Sequence, residues 1–233
     1  MNNRINSLKG DLYSLLYDSK TLFSSASLRN QKQLRLLMIF IAAILFSVFA
    51  DEFVRSNFAL HHNALFDKIF SFGHWYGTGK PTLYLFCLMY LGGMIFNFEK
   101  LRRTGFLIAE TFIFAGLITV AVKSVIGRWR PFNGDGCLVF TPFIAGPNSH
   151  LSMPSGHVAA AFALSMALSN LYSNYFWKVF CILLAFVTAL SRIYHDQHWL
   201  SDVVAAAFIS VTVALQLIRN AEKAESGEFL YAD

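Results

Sequence analysis

Three short segments in the second half of the chain combine cationic, histidine and carboxylate side chains. They are residues 123–131 (KSVIGRWRP), 154–157 (PSGH) and 191–202 (SRIYHDQHWLSD). Each segment lies where a long apolar run ends or the next one begins. Because consecutive apolar runs pack side by side in a helical bundle, segments at their ends can converge although they are distant in sequence. We expect one polar site at one end of such a bundle.

The cationic residues of these segments suit an anion with several oxygens. Lys123, Arg130 and Arg192 supply donors, and a guanidinium group can bind a phosphoryl group through two parallel hydrogen bonds. Ser155 and Gly156 precede a predicted helix, where free backbone N–H groups and the helix dipole favour an anion. Together the five residues predict a phosphate-binding cage that stabilises a pentacoordinate phosphorus transition state.

Two histidines of the same segments suit a two-step displacement at phosphorus. His198 and Asp202 are four residues apart, so the carboxylate can accept the proton of one imidazole nitrogen and leave the other nitrogen free to attack. His157, at the start of a predicted helix, can protonate the leaving alkoxide and later accept a proton from water. The predicted catalytic residues are therefore His198, His157 and Asp202.

The spacing within the three segments resembles the three-part signature of the PAP2 (type 2 phosphatidic acid phosphatase) family, in the vanadium-haloperoxidase-like superfamily. The matching patterns are Lys123-x6-Arg130-Pro131, Pro154-Ser155-Gly156-His157 and Ser191-Arg192-x5-His198-x3-Asp202. The resemblance covers residues 123–202 and shows no departure at the signature positions. The first 100 residues add only a compatible hydrophobic pattern.

This resemblance implies a membrane lipid phosphatase that uses no metal and no other cofactor. It implies that His198 forms a phosphohistidine, that Asp202 orients His198 and that His157 is the acid and base. It also implies a lipid phosphate substrate, such as undecaprenyl diphosphate, phosphatidylglycerol phosphate, phosphatidic acid or lipid A. The signature residues bind only the phosphate common to these lipids, so they leave the substrate open.

Two other functions use the same residues. His195, Asp196, His198 and Asp202 are potential ligands of a divalent metal, but the three neighbouring cations would repel such an ion unless a phosphate compensated for them. The anion site could also hold a lipid phosphate without cleaving it, in a binding or transport protein. A soluble haloperoxidase would share the anion site, but the apolar runs argue against it.

The elements that position these residues are predicted from composition. Of 233 residues, 55% are hydrophobic and 14% are charged, and the mean hydropathy is +0.47. This balance is typical of a polytopic membrane protein, and a span needs about 20 apolar residues. We expect an all-α, PAP2-like bundle of about six transmembrane helices. The six runs are residues 34–50, 81–98, 105–126, 155–172, 176–194 and 201–218.

The runs divide the chain into three parts. Residues 1–33 form an N-terminal cytoplasmic or interfacial segment, for which an amphipathic helix and a polar tail are both open. Residues 34–219 form the transmembrane phosphatase domain, and residues 220–233 form a charged cytoplasmic tail that is expected to fray. Within the domain, residues 51–80 are too polar to span a membrane, and the Gly- and Pro-rich residues 127–154 predict an irregular loop.

Basic residues predict the orientation, since Lys and Arg favour the cytoplasmic side of a membrane. With six spans, 12 of the 19 Lys and Arg residues lie on the side of both termini. They are Arg4, Lys9, Lys20, Arg29, Lys32, Arg35, Lys100, Arg102, Arg103, Lys178, Arg219 and Lys223. We therefore expect an inner-membrane protein with cytoplasmic termini and a periplasmic or extracellular site.

Membrane lipids and a lipid phosphate are the expected partners, and the sequence does not indicate an oligomeric state. Nucleic acid is not expected, because the basic residues do not form one patch with interleaved aromatic residues. The remaining histidines are expected at surface or interfacial positions outside the site; they are His61, His62, His74 and His150. For His74 a second interpretation is open, in which it lines a lipid entrance together with Trp75 and Tyr76. Glu110, inside the third run, is expected to have a packed structural partner.

Overall fold

The computed structural model describes residues 2–23, 31–59, 62–143, 146 and 148–226. Within these residues the chain forms eight α-helices and two 3₁₀ turns, and its only β-type pairing is an isolated bridge between Arg128 and Phe140. The helices are α1 (Asn2–Leu22), α2 (Gln31–Ala59), α3 (Ala64–Gly77), α4 (Lys80–Phe96), α5 (Glu99–Ile126), α6 (Gly156–Ser169), α7 (Tyr175–Tyr194) and α8 (Leu200–Ser226).

The predicted all-helical membrane class is confirmed, and the number of spans is approximate. Each of the six apolar runs corresponds to a helix, namely α2, α4, α5, α6, α7 and α8. Four of these, α2, α5, α7 and α8, are long and apolar enough to cross a membrane. A fifth candidate is the pair α3 and α4, which is bent by 56° at its break, whereas α6 has only 14 residues.

Residues 51–80 were predicted to be too polar to span a membrane, yet most of them are helical. Helix α2 continues to Ala59, and α3 occupies Ala64–Gly77. Asn63 caps α3, since its Oδ1 accepts hydrogen bonds from the backbone N–H groups of Leu65 and Phe66. The polar residues of this stretch do not break a helix, because α3 turns its small and apolar residues toward α7 and α6.

Helix α6 lies at the centre of the bundle. It contacts α5, α7, α8 and α3, and most of its 14 residues are buried. Many of them are alanines, including Ala159, Ala161, Ala163 and Ala167, whose small side chains let the neighbouring helices approach closely. The PSGH segment at the N-terminus of α6 is therefore surrounded by the ends of the other helices.

Helices α3 and α7 pack in direct contact. A Cβ atom added to Gly73 would lie 2.6 Å from the carbonyl oxygen of Val187, so only glycine fits there. The Thr188 hydroxyl donates to the Gly73 carbonyl at 2.8 Å, and the Ser191 hydroxyl donates to the Phe70 carbonyl at 2.7 Å. These contacts set the rotation and height of α3 against the end of α7.

The opposite end of the bundle holds α1. Asp11 pairs with Arg102 of α5 and accepts a hydrogen bond from the Tyr90 hydroxyl at 2.8 Å. Asn220 of α8 donates to Asp18 at 2.5 Å. The described N-terminal residues thus form a docked helix. Of the predicted tail, residues 220–226 continue α8 and Asn220 has a packed partner, whereas residues 227–233 lie outside the described part of the chain.

Candidate active site

The three predicted segments meet at one end of the bundle. Lys123 lies in the last turn of α5, Arg130 in the following loop and Arg192 in the last turn of α7. Ser155 precedes α6, and its backbone N–H donates to the Asp202 carbonyl in the first turn of α8 at 3.1 Å. His157 lies within electrostatic reach of Arg192, His198 and Arg130. The fold therefore collects all eight predicted site residues, with Gly156 adjacent to Ser155.

Asp202 is buried and holds the start of α8. Its Oδ2 accepts from the backbone N–H of Trp199 at 2.9 Å, which is the reciprocal half of a capping box. The same oxygen accepts from the Ser152 hydroxyl at 2.5 Å, and Oδ1 accepts from Arg128 at 2.8 Å. Asp202 is thus fixed from three directions.

His198 lies just before α8 and is almost fully buried. Its Nδ1 is 3.6 Å from Asp202 Oδ2 and 3.4 Å from the Ser152 hydroxyl, so the expected contact with the carboxylate is longer than a hydrogen bond. The reason is that His198 precedes the helix and does not share a regular turn with Asp202. Its backbone N–H donates to the Arg192 carbonyl at 3.3 Å, which links the end of α7 to this loop.

The His198 ring is neutral at ordinary pH. Burial lowers the pKa of His198 to about 3, and the charges of Lys123 and Arg130 act in the same direction, against the opposing effect of Asp202. A neutral imidazole has one nitrogen with a free lone pair, which a nucleophile requires.

The three predicted cations are each oriented by a hydrogen bond to the protein. Lys123 Nζ donates to the Leu151 carbonyl at 2.6 Å. Arg130 donates to Gln197 Oε1 at 2.8 Å and to Asn148 Oδ1 at 2.7 Å. Arg192 Nη1 is 2.6 Å from Nδ1 of His74. Burial lowers the pKa of Arg130, which shows that its charge lacks a full counter-charge in the protein.

Buried donors without partners cluster at this site. Among the described residues, few buried side-chain atoms lack a hydrogen-bond partner, and they include Arg130 Nε, Arg192 Nε and the Ser155 hydroxyl. Leaving a buried donor unpaired costs free energy, about 1–3 kcal/mol for an ordinary group and more for a charged one. Three such donors belong to residues of the predicted cage, and an anion with several oxygens would complete their hydrogen bonding.

The N-terminus of α6 contributes backbone donors. Ser155 occupies the cap position but makes no side-chain cap hydrogen bond, so the first N–H groups of α6 are not satisfied by that hydroxyl. Gly156 is exposed, and an added Cβ would meet no atom within 4 Å. Protein packing therefore gives no reason for glycine at this position, whereas close approach of an anion to the helix N-terminus does.

A buried ion-pair network behind the site was not predicted from the sequence. Arg128 donates to Asp202 Oδ1 at 2.8 Å and to Asp51 Oδ2 of α2 at 2.7 Å. Asp51 also accepts from the backbone N–H and the hydroxyl of Ser201, at 2.8 and 2.6 Å. The guanidinium and both carboxylates are essentially inaccessible to solvent. Arg128 therefore offsets part of the charge of Asp202, and its hydrogen bonds to Asp51 and Asp202 tie α2 to the start of α8 behind the site.

Four residues near the site were missed for different reasons. Asp51 directly follows the apolar run of residues 34–50 and Arg128 lies within the first of the three segments, but neither was assigned a specific role. Ser152 lies two residues before the PSGH segment and had no distinguishing signal. His74 was assigned outside the site, but it contacts Arg192 and stacks on His157. Only the position of Arg128 between Lys123 and Arg130 offered a signal.

The metal alternative has little geometric support. In the part of the chain that the structure describes, no group of three or more His, Cys, Asp or Glu side chains is placed to hold a metal ion. His195 and Asp196, two of the ligands considered above, have other partners. His195 Nδ1 contacts the Ser191 carbonyl at 2.7 Å, and Asp196 forms a bidentate pair with Arg55 at 2.7 and 2.8 Å.

Comparison with known proteins adds independent information. A family model described as the PAP2 superfamily matches residues 104–225. A lipid A 1-phosphatase of Rhizobium etli is 36% identical over 97 residues, which is 41% of this chain and 40% of that protein. A lipid A 4'-phosphatase of Bacteroides thetaiotaomicron is 30% identical over 105 residues, which is 44% of this chain and 47% of that protein. The chain spans less than half the length of these two relatives.

The fold is similar to that of a solved structure. The crystal structure of a transmembrane PAP2 type phosphatidylglycerolphosphate phosphatase from Bacillus subtilis aligns with a TM-score of 0.62 at 20% sequence identity. The alignment covers 80% of this chain and 96% of that one. The arrangement of helices is therefore shared, whereas identity at this level says nothing about the substrate.

Proposed function

The chain belongs to the PAP2 superfamily, and from this premise we propose that it hydrolyses the phosphate of a membrane lipid at the site formed by α5 to α8. The observation that carries the proposal is the pairing of a neutral, buried His198 with three unpartnered buried donors, Arg130 Nε, Arg192 Nε and the Ser155 hydroxyl. Such donors complement the oxygens of a phosphoryl group undergoing attack.

In the proposed first step, the free imidazole nitrogen of His198 attacks phosphorus and the bond from phosphorus to the lipid oxygen breaks. Burial and the charge of Arg192 lower the pKa of His157 to about 3 in the protein alone, and the proposal requires that the bound phosphate, an anion beside the ring, raises that pKa enough for the ring to be protonated. His157 then gives its proton to the departing alkoxide, so the lipid alcohol leaves neutral. The cage of Lys123, Arg130, Arg192 and the start of α6 holds the three phosphoryl oxygens throughout. The product of this step is a phosphohistidine at His198 and a neutral His157.

The proposed second step regenerates the enzyme. His157, now neutral, accepts a proton from water, and the water oxygen attacks phosphorus while the bond to His198 breaks. Inorganic phosphate leaves, and both histidines return to their starting forms. Asp202 carries no proton in either step: with Ser152 it faces Nδ1 of His198 and stabilises the charged ring that the first step creates.

A phosphate monoester of the lipid A class is the first substrate to test. This choice rests on the relatives named above, which are a lipid A 1-phosphatase and a lipid A 4'-phosphatase. Undecaprenyl diphosphate, phosphatidylglycerol phosphate and phosphatidic acid present the same phosphoryl group and belong in the same comparison.

We also propose an inner-membrane location with cytoplasmic termini and a periplasmic site. The distribution of basic residues supports it. A second support is that α1 and the C-terminal part of α8 meet at the end of the bundle opposite the site. Asn220 is about 27 Å along α8 from Asp202 at 1.5 Å per residue, and it contacts Asp18 of α1.

The test is phosphate release from these four lipids in detergent micelles by the purified protein, with His198→Ala as the matched control. We expect turnover of at least one lipid by the wild type and none by the variant, because no other group there can attack phosphorus. If the wild type binds a lipid phosphate but releases no phosphate from any of the four, the non-catalytic binding function replaces the phosphatase.

A further inference from the structure

His74 of α3 contacts two residues of the proposed site, although it lies outside the segment that the family model matches. Its Nδ1 is 2.6 Å from Arg192 Nη1. Its ring stacks on that of His157, with centroids 4.9 Å apart and an angle of 24° between the planes. We propose that His74 is a positioning residue, which holds the Arg192 guanidinium in the orientation that binds the phosphoryl group. This proposal rests on the phosphatase function.

The contact with Arg192 requires one form of the His74 ring. A guanidinium group has only donors, so Arg192 donates and Nδ1 of His74 accepts. The accepting nitrogen has no proton, and the ring is neutral with its hydrogen on Nε2. A doubly protonated ring would have no acceptor and would place a second positive charge against Arg192. The other titratable rings facing His74 are those of His157 and His195, the latter with its centroid at 6.4 Å.

The hydrogen bond to His74 leaves Nε of Arg192 available to bind an anion. Nη1 is occupied by His74, whereas Nε is buried and has no partner. Arginine has many rotamers, and fixing one end of its planar group orients the remaining donors before an anion arrives. A donor that is already oriented binds a phosphoryl group more tightly than one that must be ordered during binding. His74 therefore acts on the substrate through Arg192.

The backbone around His74 is built for this contact. Gly73, next to it, admits the Val187 carbonyl at a distance that any Cβ would prevent. At Gly77, a Cβ would lie 2.8 Å from the His157 carbonyl oxygen. The hydroxyls of Thr188 and Ser191, which flank the turn before Arg192, donate to carbonyls of α3. Helix α3 is thus locked to α6 and α7 at the level where His74 meets Arg192.

Two substitutions separate the hydrogen bond from packing. His74→Asn places an amide oxygen near the position of Nδ1 and can still accept from Arg192. His74→Phe keeps an aromatic ring for stacking on His157 but has no acceptor. His62→Asn is the control, because His62 is an exposed histidine whose ring lies against that of Tyr194 at 39°, and within the described residues it has no hydrogen bond to the eight predicted site residues. The measurements are kcat and KM for a hydrolysed lipid phosphate, the inhibition constant of vanadate and the thermal midpoint in detergent.

We expect His74→Phe to lower kcat/KM and to weaken vanadate inhibition by the same factor, about 10- to 100-fold, as for loss of a hydrogen bond to a charged group. His74→Asn should stay within about threefold of the wild type for both quantities. His62→Asn should match the wild type.

Three outcomes would overturn the inference about His74, and they differ in what they imply for the phosphatase function. If the wild type releases no phosphate, the phosphatase function fails, and this inference fails with it. If the wild type is active and His74→Phe equals it in kcat/KM and vanadate affinity, His74 does not position Arg192 while the phosphatase function stands. If both variants lose activity equally and their thermal midpoints fall together, His74 has only a packing role and the inference is again wrong.

Discussion

Replacing Arg128 by methionine should strongly destabilise the folded protein. The guanidinium of Arg128 lies between Asp51 of α2 and Asp202 of α8, and it also donates to the Cys137 carbonyl at 2.9 and 2.6 Å. The side chains of all three charged residues have at most 1% of their surface exposed. Arg128→Met preserves much of the volume but leaves two buried carboxylates without their counter-charge.

The expected magnitude follows from the loss of a buried partner. Removing one member of a buried ion pair costs about 3–5 kcal/mol, because the remaining charge stays buried and unpaired. Arg55→Met is a matched control, since Arg55 also joins α2 to the segment before α8, through an ion pair with Asp196 in the loop after α7. The side chains of Arg55 and Asp196 are 28% and 39% exposed. A pair of that exposure contributes about 0–1 kcal/mol.

A second substitution tests the cause. Asp51→Asn removes one of the two uncompensated charges, while its amide oxygen can still accept from Ser201. The double variant Arg128→Met/Asp51→Asn should therefore recover roughly half of the loss seen in Arg128→Met alone. A simple loss of packing predicts no recovery, because asparagine adds no volume.

The assay is reversible unfolding in detergent micelles, followed by tryptophan fluorescence, for the wild type and the four variants Arg128→Met, Asp51→Asn, Arg55→Met and the double variant. The reasoning is refuted if Arg128→Met costs no more than Arg55→Met. It is also refuted if Asp51→Asn fails to restore stability in the Arg128→Met background.

Four further predictions concern chemistry, pH and topology. His157→Ala should slow hydrolysis of a lipid with a poor leaving group by about 10²- to 10⁴-fold. With p-nitrophenyl phosphate, whose leaving group needs no acid, the same variant should accumulate acid-labile phosphoenzyme. Phosphate label that stays bound to His198→Ala at the wild-type level would disprove the assignment of the nucleophile. Activity should survive EDTA and be blocked by vanadate, a mimic of the transition state, so activity that is lost in EDTA and restored by a divalent ion would contradict the mechanism. The pKa of His198 is about 3 in the folded protein, below its ordinary value of 6.5. As pH falls from 6.5 towards 3, the unfolded chain therefore binds a proton that the folded protein does not, and the free energy of unfolding decreases. From pH 7 to pH 5, His198→Gln should therefore gain about 2 kcal/mol relative to the wild type, and parallel stability curves would rule this out. A C-terminal tag should be shielded from an impermeant reagent in sealed cells, and its labelling would reverse the proposed orientation.

The residues of the candidate site could be predicted from sequence because their positions depend on local rules. Ser155, Gly156 and His157 stand where an apolar run begins, so a helix N-terminus was expected there, and α6 starts at Gly156. Lys123 and Arg192 stand where apolar runs end, and both lie in last turns of helices. The periodicity of apolar side chains and the residue types at helix ends are local features, so a single sequence is enough to locate helices and their boundaries.

The contacts between helices could not be predicted from local patterns in the same way. Residues 51–80 were predicted to be too polar to span a membrane because their polar side chains were counted along the chain. Helix α3 packs there because Gly73 admits Val187 of α7 and because polar side chains of α3 have partners on α7, as His74 has in Arg192. Which face of a helix meets a neighbour depends on the neighbour, and no local pattern within residues 51–80 states it.

The sequence by itself indicated the chemistry that we propose for the site, since the types and spacing of Lys123, Arg130, His157, His198 and Asp202 are typical of phosphate donors, an acid and an oriented nucleophile. Only the tertiary structure decided which other residues hold these side chains in position. Arg128 meets Asp51 across 77 positions, and Arg192 meets His74 across 118 positions. A charge at the end of an apolar run has the same local signature whether it faces water or a buried partner. The free energy that distinguishes the two cases comes from desolvation by helices elsewhere in the chain, so it exists only once those helices are packed.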